Sequence, residues 1–284
     1  MDIKTIGVVG CGQMGSGIAE VTARAGYNVI AREVNEEFLN KGLKAVQGSL
    51  DRGVQKGKVT QEERDAVIGR VKGTTRLEDL GACDFIIEAI IENMPDKKTT
   101  FSALDKACPP HTILASNTSA LSLTEMACST KRPDRFIGMH FFNPPTGTKL
   151  LEVGRTILSS DESVEVGRKI GESMGRTVVV VPDAPGFIVN RLLVPYLLDA
   201  IRCYEAGLAT KEDLDTGITL GLNHPMGPLA LSDFIGLDTI YFIAETMFAD
   251  FKEPRFAPPP LLKKMVTAGL FGRKSGKGFY VYSK

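Results

Sequence analysis

The apolar positions of this chain gather into short runs, and longer stretches of mixed polarity separate them. The runs fall at Ile6–Val9, Val29–Ala31, Phe85–Ile91, Thr112–Ala115, Arg135–Met139 and Thr177–Val181. They are bounded by Gly, Pro or Asp, and helix-favouring segments lie between them. Nearly continuous apolar strands alternating with helices are how a parallel sheet covered on both faces reads. The first part of the chain is therefore expected to be α/β and doubly wound.

One interval is longer than a crossover requires. Glu36 to Lys72 is charged and helix-favouring, whereas a minimal crossover needs far fewer residues. It is expected to form a solvated helical hairpin; the alternative is a clamp for an anionic substrate arm. After Asp183 the strand pattern nearly vanishes. Ile188–Glu205 keeps helical spacing despite Pro195, and Lys211–Leu222, Asp233–Asp250 and Leu261–Ala268 also read as helices. The turn-forming VPDAPG sequence marks a boundary near Pro182 to Pro185. Residues 1–183 are thus expected to form one domain, with a helical arm at about 36–72, and residues 184–284 a smaller all-helical one. The apolar faces of the second domain are rich in Leu, Ile and Phe, and a homodimer would bury them. No internal repeat or low-complexity segment interrupts either part.

The densest chemistry lies in TIGVVGCGQMGSGIAEVTARAGYNVIARE, residues 5–33. An apolar strand runs into Gly10, Gly12 and Gly15, spaced G-x-G-x-x-G. A helix follows, stopped by Gly26, and a second strand leads to Glu33. Strand, glycine turn, helix, strand and acid in this order form a dinucleotide-binding fingerprint. Gly10 permits the tight turn, Gly12 lets a pyrophosphate approach the backbone, and Gly15 lets helix and strand pack. Free N–H groups at the helix start, carried by residues such as Gln13 and Met14, receive the phosphate charge. Glu33 lies where a carboxylate accepts the adenosine ribose hydroxyls and repels a 2′-phosphate, which favours NAD(H). Arg32 keeps NADP(H) open, because a guanidinium is the usual partner of that phosphate.

Composition narrows the setting. Basic and acidic residues balance at 34 each, so no electrostatic footprint points to nucleic acid or a membrane surface. No apolar run nears the ~20 residues of a membrane span. The N-terminus is already used as a strand and carries no signal-peptide pattern. The five cysteines are scattered without a C-x-x-C, which suggests neither a disulfide framework nor a metal site. A reducing, cytoplasmic location is the natural expectation.

A dehydrogenase needs a base near the carbon that exchanges hydride. Of the three histidines, His111 begins a strand, the wrong end for ligands of an open parallel sheet. His224 lies in the turn GLNHPMGP. His140 ends the strand-like RFIGM and begins HFFNPP, the right end, and is the catalytic candidate. Glu152, interrupting the apolar KLLEVG, is the best orienting carboxylate; its other reading is an exposed strand residue. ILASNTS places Asn117 and Ser119 just past another strand. Asn190, flanked by apolar residues in PGFIVNRLL, is either a structural amide or a donor to a substrate carbonyl.

At these residues the sequence resembles the L-3-hydroxyacyl-CoA dehydrogenase family. The resemblance covers essentially the whole chain, through GCGQMGSGIA, DFIIEAIIEN, ILASNTSALS, RFIGMHFFNPP, KLLEV, DAPGFIVNR, NHPMGPLALSDFIGLD and GRKSGKGFY. It implies a Rossmann-like N-terminal domain, a helical C-terminal domain used for dimerisation, and reversible oxidation of (S)-3-hydroxybutyryl-CoA to acetoacetyl-CoA. It also implies roles. His140 is then the general base, Glu152 its partner, Ser119 the hydrogen-bond donor to the reacting oxygen, and Asn190 part of the substrate pocket. Glu92, Lys97, Asn117, Asn143 and Lys274 match cofactor-contacting positions, with Ser119 among them, and Ser49 and Lys56 match positions on the arm that meets CoA. The pattern departs at Glu33, where Asp is more usual. A related dehydrogenase of a free hydroxy acid or sugar acid is the alternative, although such relatives use a lysine base or a cysteine nucleophile. A non-catalytic protein of the same fold is disfavoured by the intact His140, Glu152, Ser119 and Asn190.

Overall fold

A computed structural model describes residues 2–282. The chain divides into two compact units, residues 1–183 and 184–284. The first alternates strand and helix: β1 (Thr5–Val9), α1 (Gln13–Arg24), β2 (Asn28–Arg32), α2 (Glu36–Gln55), α3 (Gln61–Arg70) and β3 (Val71–Thr74). It continues with β4 (Phe85–Glu88), α4 (Met94–Ala107), β5 (Ile113–Ser116), α5 (Leu123–Ala127), β6 (Phe136–Phe141), β7 (Leu150–Arg155), α6 (Asp161–Ser173) and β8 (Thr177–Pro182). The eight strands form one sheet in the order β3-β2-β1-β4-β5-β6-β7-β8. Ile6, Val8, Phe85, Ile87, Ile113, Ala115, Ile137 and Met139 from its central strands join Ile18 and Ala19 of α1 in the main core.

The sheet is mostly parallel, as its apolar runs suggest, with one antiparallel pair. β7 runs antiparallel to β6, while the other pairs are parallel. The connection from β6 to β7 carries no helix, so the chain simply doubles back, as an antiparallel pair allows. β4 also stops earlier than its apolar run suggests, at Glu88, because the Glu88 carboxylate accepts the Ile90 N–H at 2.7 Å and turns the chain. β6 instead runs further, through His140 to Phe141, since β7 pairs with it to the end.

The long charged interval is a helical hairpin, α2 and α3, whose last residues give way to edge strand β3. Asn35 caps α2 by accepting the Phe38 N–H, and Thr60 and Glu63 form a reciprocal capping box on α3. Leu39, Gly42, Val46 and Leu50 are the buried face of α2. A side chain at Gly42 would strike the Cys11 carbonyl at 2.3 Å, so glycine is what lets α2 lie against the glycine-rich turn.

The second unit is helical: α7 (Val189–Glu205), α8 (Lys211–Gly221), α9 (Pro228–Ile235), α10 (Leu237–Phe251) and α11 (Pro260–Thr267). The single helix expected over Asp233–Asp250 is broken at Gly236, whose φ of 106° ends α9 and begins α10. Buried Asp233 accepts the Phe279 and Tyr280 N–H groups and the Tyr282 hydroxyl at 2.9–3.0 Å, tying the C-terminal segment to α9. Among the described residues no helix is long and apolar enough to cross a membrane.

Candidate active site

The glycine turn has the geometry its spacing suggests. Gly10 has a φ of 90°, and a Cβ there would lie 2.7 Å from the Ala89 carbonyl. A Cβ on Gly15 would lie 1.7 Å from the Gly10 carbonyl oxygen, so α1 can start here only with glycine at that position. At Gly12 a Cβ would meet nothing within 4 Å. Gly12 is also the N-cap of α1 and offers no side-chain cap. The first turn, with Gln13 and Met14, therefore keeps N–H groups for a ligand, as an anion site requires. Glu33 accepts the Cys11 N–H at 2.7 Å through one oxygen and its neighbour Val34 N–H at 3.0 Å through the other. It closes the turn against the end of β2 and adds a negative charge beside it. These residues fit a dinucleotide.

Across the sheet, β5 ends at Ser116 while β6 continues. The Asn117 side-chain oxygen takes over as acceptor for the Phe141 N–H at 2.9 Å, extending the ladder where β5 has stopped. This steadies the end of β6 that carries His140. Antiparallel pairing places Glu152 of β7 directly opposite His140. Directly opposed residues project from the same face of a sheet. The result is a 2.8 Å contact between His140 Nδ1 and Glu152 Oε2, with both side chains buried. A carboxylate only accepts, so Nδ1 carries the proton and Nε2 is the basic nitrogen. Ser119 Oγ lies 3.2 Å from Nε2. The Phe142 ring packs on the imidazole with centroids 4.6 Å apart. The arrangement is an oriented base with a hydroxyl beside its reactive nitrogen, suited to proton exchange with an alcohol or carbonyl oxygen.

The structure gathers most first-unit candidates around these two centres. Asn143, past the end of β6, accepts from Gln13 Nε2 at 3.2 Å and so reaches the first turn of α1. Glu92 accepts the Ser119 N–H at 2.8 Å and the Thr118 hydroxyl at 2.5 Å. Lys97 is not turned to solvent: its ammonium lies between Glu88 at 2.7 Å and Glu92 at 3.2 Å, with the side chain 1% exposed. Ser49 is half-buried on α2, and Lys56 is exposed at its C-terminal end. In the second unit, Asn190 is a half-buried residue of the first turn of α7, and Lys274 pairs with Asp238. His111 is exposed ahead of β5, and His224 is an exposed turn residue edge-on to Tyr196.

Sequence reasoning passed over Glu88. The available signal was a carboxylate at the end of an apolar strand, DFIIE, which burial obliges to find partners. The thiol Cys11, at the glycine turn, is buried, and burial pushes its pKa up to about 11, with the Glu33 charge adding to the effect.

The 3-hydroxyacyl-CoA dehydrogenase NAD binding domain matches residues 5–184, and the 3-hydroxyacyl-CoA dehydrogenase C-terminal domain matches residues 186–282. 3-Hydroxybutyryl-CoA dehydrogenase of Mycobacterium tuberculosis is 48% identical over 282 residues, 99% of each chain. The probable 3-hydroxybutyryl-CoA dehydrogenase of Bacillus subtilis is 49% identical over 284 residues, 100% of this chain and 99% of that one. The crystal structure of (S)-3-hydroxybutyryl-CoA dehydrogenase PaaH1 from Ralstonia eutropha has a TM-score of 0.96 at 42% identity, covering 100% of both chains.

Proposed function

The chain belongs to the 3-hydroxyacyl-CoA dehydrogenase family, and from that membership we propose that it interconverts (S)-3-hydroxybutyryl-CoA and acetoacetyl-CoA with NAD(H). The observation that carries the reading is the His140–Glu152 pair with Ser119 at the Nε2 edge of the imidazole. The bound nicotinamide supplies the hydride donor or acceptor. His140 Nε2 removes the 3-hydroxyl proton in oxidation and returns it in reduction. Glu152 holds the Nδ1 proton, fixes the ring and stabilises the imidazolium as it forms. Ser119 Oγ donates to the reacting oxygen and keeps it within reach of Nε2.

Further roles rest on the resemblance. Asn190 is assigned to the substrate, and Glu92, Lys97, Asn117, Asn143 and Lys274 to the cofactor, although the buried Lys97 ammonium lies between Glu88 and Glu92. Ser49 and Lys56 are assigned to CoA, whose phosphates suit a lysine. NAD(H) rather than NADP(H) rests on the Glu33 carboxylate beside the glycine turn. Dimerisation is assigned to the second unit, where Leu192, Leu208 and Leu220 are 71–80% exposed.

The test is nicotinamide absorbance with acetoacetyl-CoA, run with NADH and with NADPH, and with free acetoacetate as control. Oxidation of NADH with the CoA ester alone is expected. Preference for NADPH would move the cofactor assignment to Arg32. Turnover of free acids without turnover of the thioester would favour a hydroxy-acid dehydrogenase.

A further inference from the structure

Behind the catalytic pair, in the first unit, lies a charged network that proton transfer does not use directly. Glu88 ends β4 and is fully buried. Its carboxylate accepts three donors at 2.7 Å each: the Ile90 N–H, the Ser116 hydroxyl and the Lys97 ammonium. The same ammonium lies 3.2 Å from one oxygen of Glu92. The other Glu92 oxygen holds the Thr118 hydroxyl and the Ser119 N–H. Ser119 in turn meets His140 Nε2. An unbroken path of polar contacts thus runs from a carboxylate with no solvent exposure to the hydroxyl beside the base.

Stability alone gives a poor reason for such a network. Taking the Glu88 carboxylate and the Lys97 ammonium out of water, and Glu92 partly so, is costly, and well-packed apolar side chains at such places are often as stable or more so. What the charges add is direction. With Glu88 in place, Lys97 is held from one side and its remaining attraction falls on Glu92. Glu92 is then fixed at both oxygens, and the Ser119 loop with it. Without the Glu88 charge, the buried ammonium would have Glu92 as its sole anionic partner. It would draw that carboxylate inward, away from the Thr118 hydroxyl and the Ser119 N–H.

We propose that Glu88 is a positioning residue for the reaction, acting through Lys97 and Glu92 to hold Ser119 against His140. The proposal rests on the reading above that Ser119 and His140 serve reduction of a 3-oxoacyl thioester. Glu88 touches neither of the reacting groups, so its effect belongs in kcat rather than in the acyl-CoA KM.

The test is a double-mutant cycle on the full chain, reading kcat for acetoacetyl-CoA reduction with NADH. The variants are Glu88→Gln, Ser119→Ala and the two together. Glu88→Gln should lower kcat by on the order of ten-fold or more while KM for acetoacetyl-CoA stays within about two-fold. In the Ser119→Ala background the same substitution should cost little, because the group it positions is already gone. A general structural defect would lower kcat equally in both backgrounds, so losses that multiply would overturn the proposal. So would a Glu88→Gln enzyme that matches the unaltered chain. Ser116→Ala removes one donor from Glu88 and leaves the charge, so it gives a milder form of the same cycle if Glu88→Gln fails to fold. Turnover by the unaltered chain reports separately on the reaction: its absence would remove the functional reading and this proposal together, whereas losses in kcat that multiply in an active enzyme would remove this proposal alone.

Discussion

Glu152 and His140 face each other across antiparallel strands β6 and β7, and this register brings carboxylate and imidazole to 2.8 Å. A shift of one residue would turn Glu152 to the opposite face of the sheet, because side chains alternate along a strand. Replacing Glu152 by Gln keeps the shape but can invert the hydrogen bond, so that an amide donates to Nδ1 and the proton moves to Nε2. Activity should then fall roughly 10²–10⁴-fold in kcat with little change in the acyl-CoA KM. Steady-state kinetics on acetoacetyl-CoA would show it, and a Glu152→Gln enzyme within two-fold of the unaltered one, by rough allowance for assay scatter, would refute the pairing as a working part.

The glycine turn offers a contrast between two alanine substitutions. At Gly12 the new methyl meets nothing in the chain, whereas at Gly15 it would overlap the Gly10 carbonyl. Gly12→Ala should therefore keep its thermal stability and weaken NADH binding by about ten-fold or more, through crowding of the phosphate path. Gly15→Ala should lose about 3 kcal/mol of stability before any ligand is added. Thermal melts paired with NADH titrations separate the two, and equal stability loss at both positions would contradict the assignment.

The second unit depends on Asp233. Its carboxylate is fully buried and satisfies two backbone N–H groups and the Tyr282 hydroxyl from the C-terminal segment. Asp233→Ala leaves those donors without it and should cost ~3 kcal/mol or more. Urea unfolding would measure the loss, and proteolysis near the C-terminus should become faster. A midpoint unchanged from that of the unaltered chain would show that the segment is held by other contacts.

Alkaline pH should destabilise the chain through its buried thiols. Burial raises Cys11 and Cys108 to about 11 and Cys83 to about 12. An unfolded thiol ionises near ~8.5. Below that pH both states keep the proton and the contribution is complete. Above it the unfolded chain has released protons that the folded chain still holds, so stability falls as pH rises toward 11–12. Denaturant melts from pH 8 to pH 11 should show a decline that Cys83→Ala makes shallower. In the same window the exposed Cys128 should react with iodoacetamide well before the three buried thiols.

The fold class and the glycine turn were legible in the sequence because their determinants are local. Gly10, Gly12 and Gly15 act on each other within one strand–turn–helix unit, and the short apolar runs state burial residue by residue. The helical hairpin after β2 could also be read, from its length and its charge. His140 stood out because one short segment carries both the end of a strand and the histidine. The break at Gly236 was missed because the apolar spacing continues across it, and only the backbone's positive φ divides α9 from α10.

What the tertiary structure decided lies between segments. Nothing in KLLEVG alone states that β7 returns antiparallel to β6, and that return is what turns Glu152 from a strand carboxylate into the partner of His140. The Asn117 side chain earns its acceptor role only because β5 stops while β6 continues beside it. Glu88, Lys97 and Glu92 look like charges scattered over a strand end, a helix and a loop. They become one charged network, buried at Glu88 and Lys97, because β4 and β5 lie side by side and α4 folds back over their ends. Sequence records the preference of each residue for burial, strand or turn. Which buried charge meets which partner is set by strand order and register, and these are properties of the assembled sheet rather than of any one stretch of chain.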